Sequence, residues 1–139
     1  MVRRILVTGA NRGIGLAVVN RCLQDHEDAY VILACRTAAR GDEAASQLIA
    51  AKPEWRERLM VVQMDTSSDD SVKAAATTLG AKLGTSPPPL YGIVNNAGIA
   101  VGTVAEILNT NVRGPKRVDD AFIPLLEPTG RRRRVIVGP

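Results

Sequence analysis

Three glycines, Gly9, Gly13 and Gly15, lie in the stretch VTGANRGIGLA, where an apolar run gives way to a helix-like run. The start of a helix presents unpaired backbone N–H groups and a partial positive charge, so it attracts a phosphate wherever the backbone can come close enough. Side chains block that approach. Gly9 permits a tight turn out of the preceding run, while Gly13 and Gly15 keep the mouth of the helix bare for a pyrophosphate. Glycines alone mark no more than a turn. Their position directly after a strand and at the head of a helix is what the phosphate chemistry requires.

The elements that must place these residues are legible along the whole chain. Continuous apolar runs at Arg4–Thr8, Tyr30–Cys35, Leu59–Met64, Tyr91–Asn95 and Arg134–Val137 read as strands covered on both faces. Helix-like segments separate them. Ile14, Val18 and Cys22, with Val19 and Leu23, recur on one helical face, as do Val72, Ala76, Leu79 and Leu83. Ser67 and Asp70 stand where a helix cap is expected, and Pro53 should end the second helix. Alternating strands and helices predict an α/β fold, a Rossmann-type doubly wound parallel sheet, with residues 1–139 forming a single dinucleotide-binding domain.

Composition narrows the setting. The chain of 139 residues is 45% hydrophobic, enough for one core, and it shows neither an apolar stretch of membrane length nor a secretory leader. A cytoplasmic location without a membrane partner is the expectation. Cys22 and Cys35 fit no metal-ligand spacing and read as core thiols. Of 18 Lys and Arg, seven lie after residue 112, against three of 14 Asp and Glu, so the net charge of +4 is local. Its centre is the run Arg131–Arg134. Such a run can meet phosphates, but aromatic residues make up only 3% of the chain and no nucleic-acid motif is present, so a solvated connection is the preferred reading.

The spacing Thr8-Gly9-x-x-x-Gly13-x-Gly15 resembles the signature of the short-chain dehydrogenase/reductase family, and TGANRGIG is most similar to its NADP(H)-dependent carbonyl reductase branch. A second motif, NNAG from Asn95 to Gly98, closes the fourth strand run where that family carries the same four residues. The likeness continues through RGDEAASQL, NTNVRGP and AFIPLLEP. It implies cofactor binding by Thr8, Gly9, Asn11, Arg12, Gly13, Ile14 and Gly15. It also implies that Asn95, Ala97 and Gly98 line the adenosine and ribose site while Asn96 braces the strand end; Thr8 fits either role. In this fold the residue ending the second strand faces the adenine ribose, and Arg36 there favours the 2′-phosphate of NADP(H) over NAD(H). Arg12 is similar to a second basic residue of NADP-preferring members. Asp65 either meets the adenine amino group or caps the turn ahead of TSSDD.

Members of the family move a hydride between the nicotinamide and a carbonyl or alcohol, with a tyrosine, a lysine four residues later, a serine and an asparagine at the reacting end. Asn111, in NTNVRGP, matches the asparagine. Tyr30 and Tyr91 are followed four places on by Ala34 and Asn95, so these residues hold no Tyr-x-x-x-Lys. Twelve residues separate Gly98 from Asn111, a short interval for the family, and Pro115 falls where a long helix should run. The expectation is the cofactor-binding front half of an NADP(H)-dependent oxidoreductase acting on a small carbonyl or alcohol, with the sheet incomplete on its C-terminal side. The alternative is a nucleotide-binding or regulatory protein of the same fold without catalysis.

Overall fold

The computed structural model describes residues 2–128 and 133–137. Its strands are β1 (Arg3–Val7), β2 (Ala29–Cys35), β3 (Leu59–Gln63), β4 (Leu90–Asn95) and β5 (Arg133–Ile136), and its helices α1 (Gly13–Asp25), α2 (Ala38–Ala51), α3 (Asp69–Leu83), α4 (Val104–Asn111) and α5 (Arg113–Phe122). All strand pairs are parallel and lie in the order β3-β2-β1-β4-β5. After β1 the chain winds outward to β2 and β3, then crosses back to β4 on the other side. The two halves therefore part above the ends of β1 and β4, the place where doubly wound sheets bind ligands.

Both faces of the sheet are covered along β1 to β4, and this is why those strands read as unbroken apolar runs, while β5 is largely exposed. On β2, Ile32 and Ala34 join the core beneath α3 and α5, which contribute Val72, Leu79, Val118 and Phe122. Val31, Leu33 and Cys35 point the other way, into the core under α1 and α2 with Val19, Leu23 and Ala44. Burial also accounts for the thiols: desolvation pushes Cys35 up from its ordinary pKa and, with help from Asp25, Cys22 as well. At the lower end of the sheet, Arg58 closes the C-terminus of α1. Its Nε donates to the Ala29 carbonyl at 3.0 Å, and its Nη2 donates to the carbonyls of Leu23, at 2.9 Å, and His26.

The expected strands agree with the observed ones to within a residue at each end, and α2 stops at Ala51, before Pro53 opens a short 3-10 turn. Two details differ. The cap of α3 is Ser68, whose hydroxyl accepts from Ser71 N at 3.2 Å; Ser67 instead donates to Asp65. The long helix expected around Pro115 is divided, with Val112 between α4 and α5. Pro115 sits in the first turn of α5, where a missing N–H costs no intrahelical bond. α4 has its own start, a capping box in which Thr103 Oγ1 accepts from Glu106 N and Glu106 Oε2 accepts from Thr103 N.

Candidate functional site

Above the ends of β1 and β4 lies a cavity of about 660 Å³ whose lining includes Gly9, Asn11, Arg12, Gly13, Arg36, Asp65, Ala97 and Gly98. Its size suits a small-molecule ligand. At its base, α1 begins at Gly13 with Arg12 in the cap position and no side-chain hydrogen bond to the first turn. Of that first turn, Gly13 lines the cavity, and Ile14 and Gly15 do not. Gly9 and Gly13 have φ of 58° and 59°, in the left-handed region that other residues avoid. A Cβ on Gly9 would stand 2.8 Å from Ala97 Cα, whereas one on Gly13 would meet nothing within 4 Å. The open face at Gly13 is thus the bare approach that a phosphate needs.

Gly15 does something else. A Cβ there would lie 2.5 Å from both Asn96 Nδ2 and Gly9 O, so this glycine lets α1 pack on the two loops and does not face the mouth. The loops are tied together by the buried Thr8, whose Oγ1 accepts from Asn96 N and Ala97 N, each at 3.0 Å. Asn96 Nδ2 donates to Gly9 O at 3.1 Å. The two glycine-bearing motifs, 87 residues apart in sequence, form one rigid floor.

At one end of the cavity stand three arginines, Arg12, Arg36 and Arg40. Arg40, the first residue of RGDEAASQL, is not singled out by the glycine and strand-end motifs. It lies in the first turn of α2, while Arg36 stands just before the Thr37 N-cap of that helix, and both line the cavity. At the end of β3, Asp65 Oδ1 accepts from Ser67 N at 3.0 Å and Ser67 Oγ at 2.6 Å, so Asp65 caps the turn ahead of α3 while also lining the cavity. Thr66 and Ser67 continue the wall that Asp65 begins, and Asn109 and Thr110 of α4 supply a second one.

Asn95, Thr8, Ile14, Gly15 and Asn111 are not among the residues lining the cavity. Asn95 is buried and turned towards α5, where its Nδ2 donates to Asp119 Oδ1 at 3.2 Å; Asn96 occupies the wall in its stead. Ile14 is exposed at the mouth of α1. Asn111 forms a reciprocal pair with Ile99, accepting from Ile99 N and donating to Ile99 O, both at 2.8 Å. Its amide closes the loop after Gly98 against the end of α4. A side chain on Gly98 would crowd that pair, its Cβ lying 3.1 Å from Asn111 Oδ1.

Of the arginine run, Arg131 and Arg132 lie outside the described residues. Arg133 stacks over the Tyr91 ring at 3.9 Å, and Arg134 pairs with Asp119 at 3.0 Å. No helix among the described residues is long and apolar enough to cross a membrane, and no group of acidic, His or Cys side chains among them is arranged to hold a metal.

Residues 3–137 match the family described as short chain dehydrogenase. Carbonyl reductase (NADPH) 1 of Rattus norvegicus is 35% identical over 138 residues, which take in 91% of this chain and 46% of that protein. Among solved structures, the NADPH-bound carbonyl reductase from chicken fatty liver is similar with a TM-score of 0.73 and 34% identity, over 89% of this chain and 51% of that one. The menthone neomenthol reductase from Mentha piperita is similar with a TM-score of 0.86 and 28% identity, over 98% of this chain and 60% of that one. The chain spans between 37% and 50% of the length of curated relatives such as bovine mitochondrial D-beta-hydroxybutyrate dehydrogenase and a Stachybotrys short-chain dehydrogenase/reductase.

Proposed function

The chain belongs to the short-chain dehydrogenase family, and from that membership and the cavity we propose that it holds NADP(H) for an oxidoreductase of carbonyl reductase type. The observation that carries the proposal is the pairing of an open helix mouth with Arg12, Arg36 and Arg40 in a single cavity. A dinucleotide with a 2′-phosphate needs both features. Phosphates call for convergent N–H donors, and the extra phosphate calls for fixed positive charge, which arginine supplies in a bidentate form.

The residues divide the work by position. The bare backbone at Gly13 and the first turn of α1 receive the pyrophosphate, and the three arginines receive the 2′-phosphate. Asp65, at the end of β3, is suited to accept from the adenine amino group. Asn96, Ala97 and Gly98 form the floor, held by Thr8. When bound, the cofactor supplies the hydride for reduction of a small carbonyl compound or accepts it from the alcohol. Asn111 holds the Gly98–Ile99 segment in place and so shapes the end of the cavity next to α4.

The alternative reading is nucleotide binding by the same fold without catalysis. Two measurements on the intact protein separate the readings. Titration with NADPH and NADH should show clear preference for NADPH, and NADPH should be oxidised in the presence of ketones or aldehydes. Binding without turnover would favour the second reading, and equal affinity for the two nucleotides would refute the arginine assignment.

A further inference from the structure

Arg117 lies on α5, outside the cavity lining, with its side chain only 16% exposed. Its guanidinium joins three segments. Nε donates to Asp69 Oδ1 at 2.7 Å, Nη1 donates to the carbonyls of Thr66 at 3.1 Å and Asn109 at 2.8 Å, and Nη2 donates to Asn109 Oδ1. Asn109 in turn donates from Nδ2 to Ser67 O at 3.2 Å. Thr66, Ser67 and Asn109 all line the cavity. One turn before Arg117, Gly114 brings the α5 backbone against Thr66, and a Cβ on it would lie 3.3 Å from the Thr66 carbonyl.

We propose that Arg117 is a positioning residue for the dinucleotide, fixing the distance between the Asp65 wall and the α4 wall of the cavity. The proposal rests on the assignment of NADP(H) to that cavity. A planar fork of five donors satisfies the acceptors of both walls at once, and no other side chain has that reach and geometry. The carboxylate is the lesser partner, because the Asp69 side chain is 69% exposed and its ion pair is screened by water. The bonds to the Thr66 and Asn109 carbonyls are the ones that set the wall spacing.

The test compares a ligand that spans both walls with one that meets only one of them. In the intact protein, NADPH and adenosine 2′,5′-bisphosphate are titrated against wild type, Arg117→Met, Arg117→Lys, Asp69→Asn and Arg58→Met. Arg58→Met is the control, since it removes a guanidinium from main-chain carbonyls at the far end of the sheet. The expected result is that Arg117→Met weakens NADPH relative to the bisphosphate by about tenfold, through misplacement of a wall. Arg117→Lys, which keeps a cation but loses the fork, should shift the ratio in the same direction and serves if the Met variant does not fold. Asp69→Asn and Arg58→Met should leave the ratio near that of wild type. A ratio in both Arg117 variants no different from that in Arg58→Met would make Arg117 merely structural and overturn the proposal. Wild-type protein that bound neither probe would overturn the cavity assignment itself, and the proposal with it.

Discussion

The arginines at the cavity mouth show how much one residue's neighbours decide. Arg12, Arg36 and Arg40 are each exposed, and singly each would be an ordinary surface cation. Placed around one cavity beside a helix start without a side-chain cap, they are the proposed receptor of the 2′-phosphate. The double change Arg12→Ala and Arg36→Asp in the intact protein should weaken NADPH far more than NADH, each charge-assisted contact contributing about 1.5–3 kcal/mol. Fluorescence titration with both nucleotides checks this, and equal losses would contradict it. Thr8 carries a different prediction. Thr8→Val preserves shape but strips the Asn96 and Ala97 N–H groups of their acceptor, each such loss costing about 1–3 kcal/mol. Thr8→Ser retains the hydroxyl, so its melting temperature should stay much closer to wild type than that of the valine variant.

At the level of elements, what was legible in the sequence was whatever burial on two faces had written into it. β1 to β4 appear as apolar runs because side chains of both parities enter a core, whereas β5 is largely exposed; the limits of all five follow within a residue. The first loop was legible because positive φ at Gly9 and Gly13 excludes other residues. Gly15, expected to keep the helix mouth bare, instead makes room for Asn96 and the Gly9 carbonyl, which a Cβ there would meet at 2.5 Å. Asn95 and Asn96 could not be told apart from sequence: adjacent positions at a strand end point to opposite sides, and only the sheet decides which side holds the cavity. The cap of α3 shows the same limit, because Ser67 and Ser68 both suit a helix start. Ser68→Ala should destabilise the protein by about 1 kcal/mol, while Ser67→Ala should loosen the Asp65 turn and leave the helix start intact. Hydrogen exchange at the first turn of α3, rising in the Ser68 variant alone, is the measurement that separates them.

For the whole molecule the decisive feature is surface that these 139 residues expose. β5 is an edge strand on which Val135 and Ile136 are 54% and 64% exposed, and on α4 Val104, Leu108 and Val112 are 74%, 51% and 63% exposed. Of these, Val104 and Leu108 share one face of α4 and Val112 is its C-cap, the three following at intervals of four. An open apolar strand edge and an apolar helix stripe both favour association with whatever apolar surface is near. Residues 1–139 expressed alone should therefore be recovered mainly as aggregate, and light scattering or size exclusion should show it. The soluble fraction should bind NADPH through α1 and the arginines yet fail to oxidise it with a ketone or aldehyde. General acid catalysis contributes typically ~10²–10⁴-fold, and these residues present no tyrosine and lysine pair to provide it. A longer product containing Tyr-x-x-x-Lys should turn over under the same conditions. If a mass-verified 139-residue chain reduced a carbonyl compound with NADPH, the proton would have to come from a group already present, and Asn111 would then have to be re-examined as more than the clamp on Ile99 that its two 2.8 Å bonds make it.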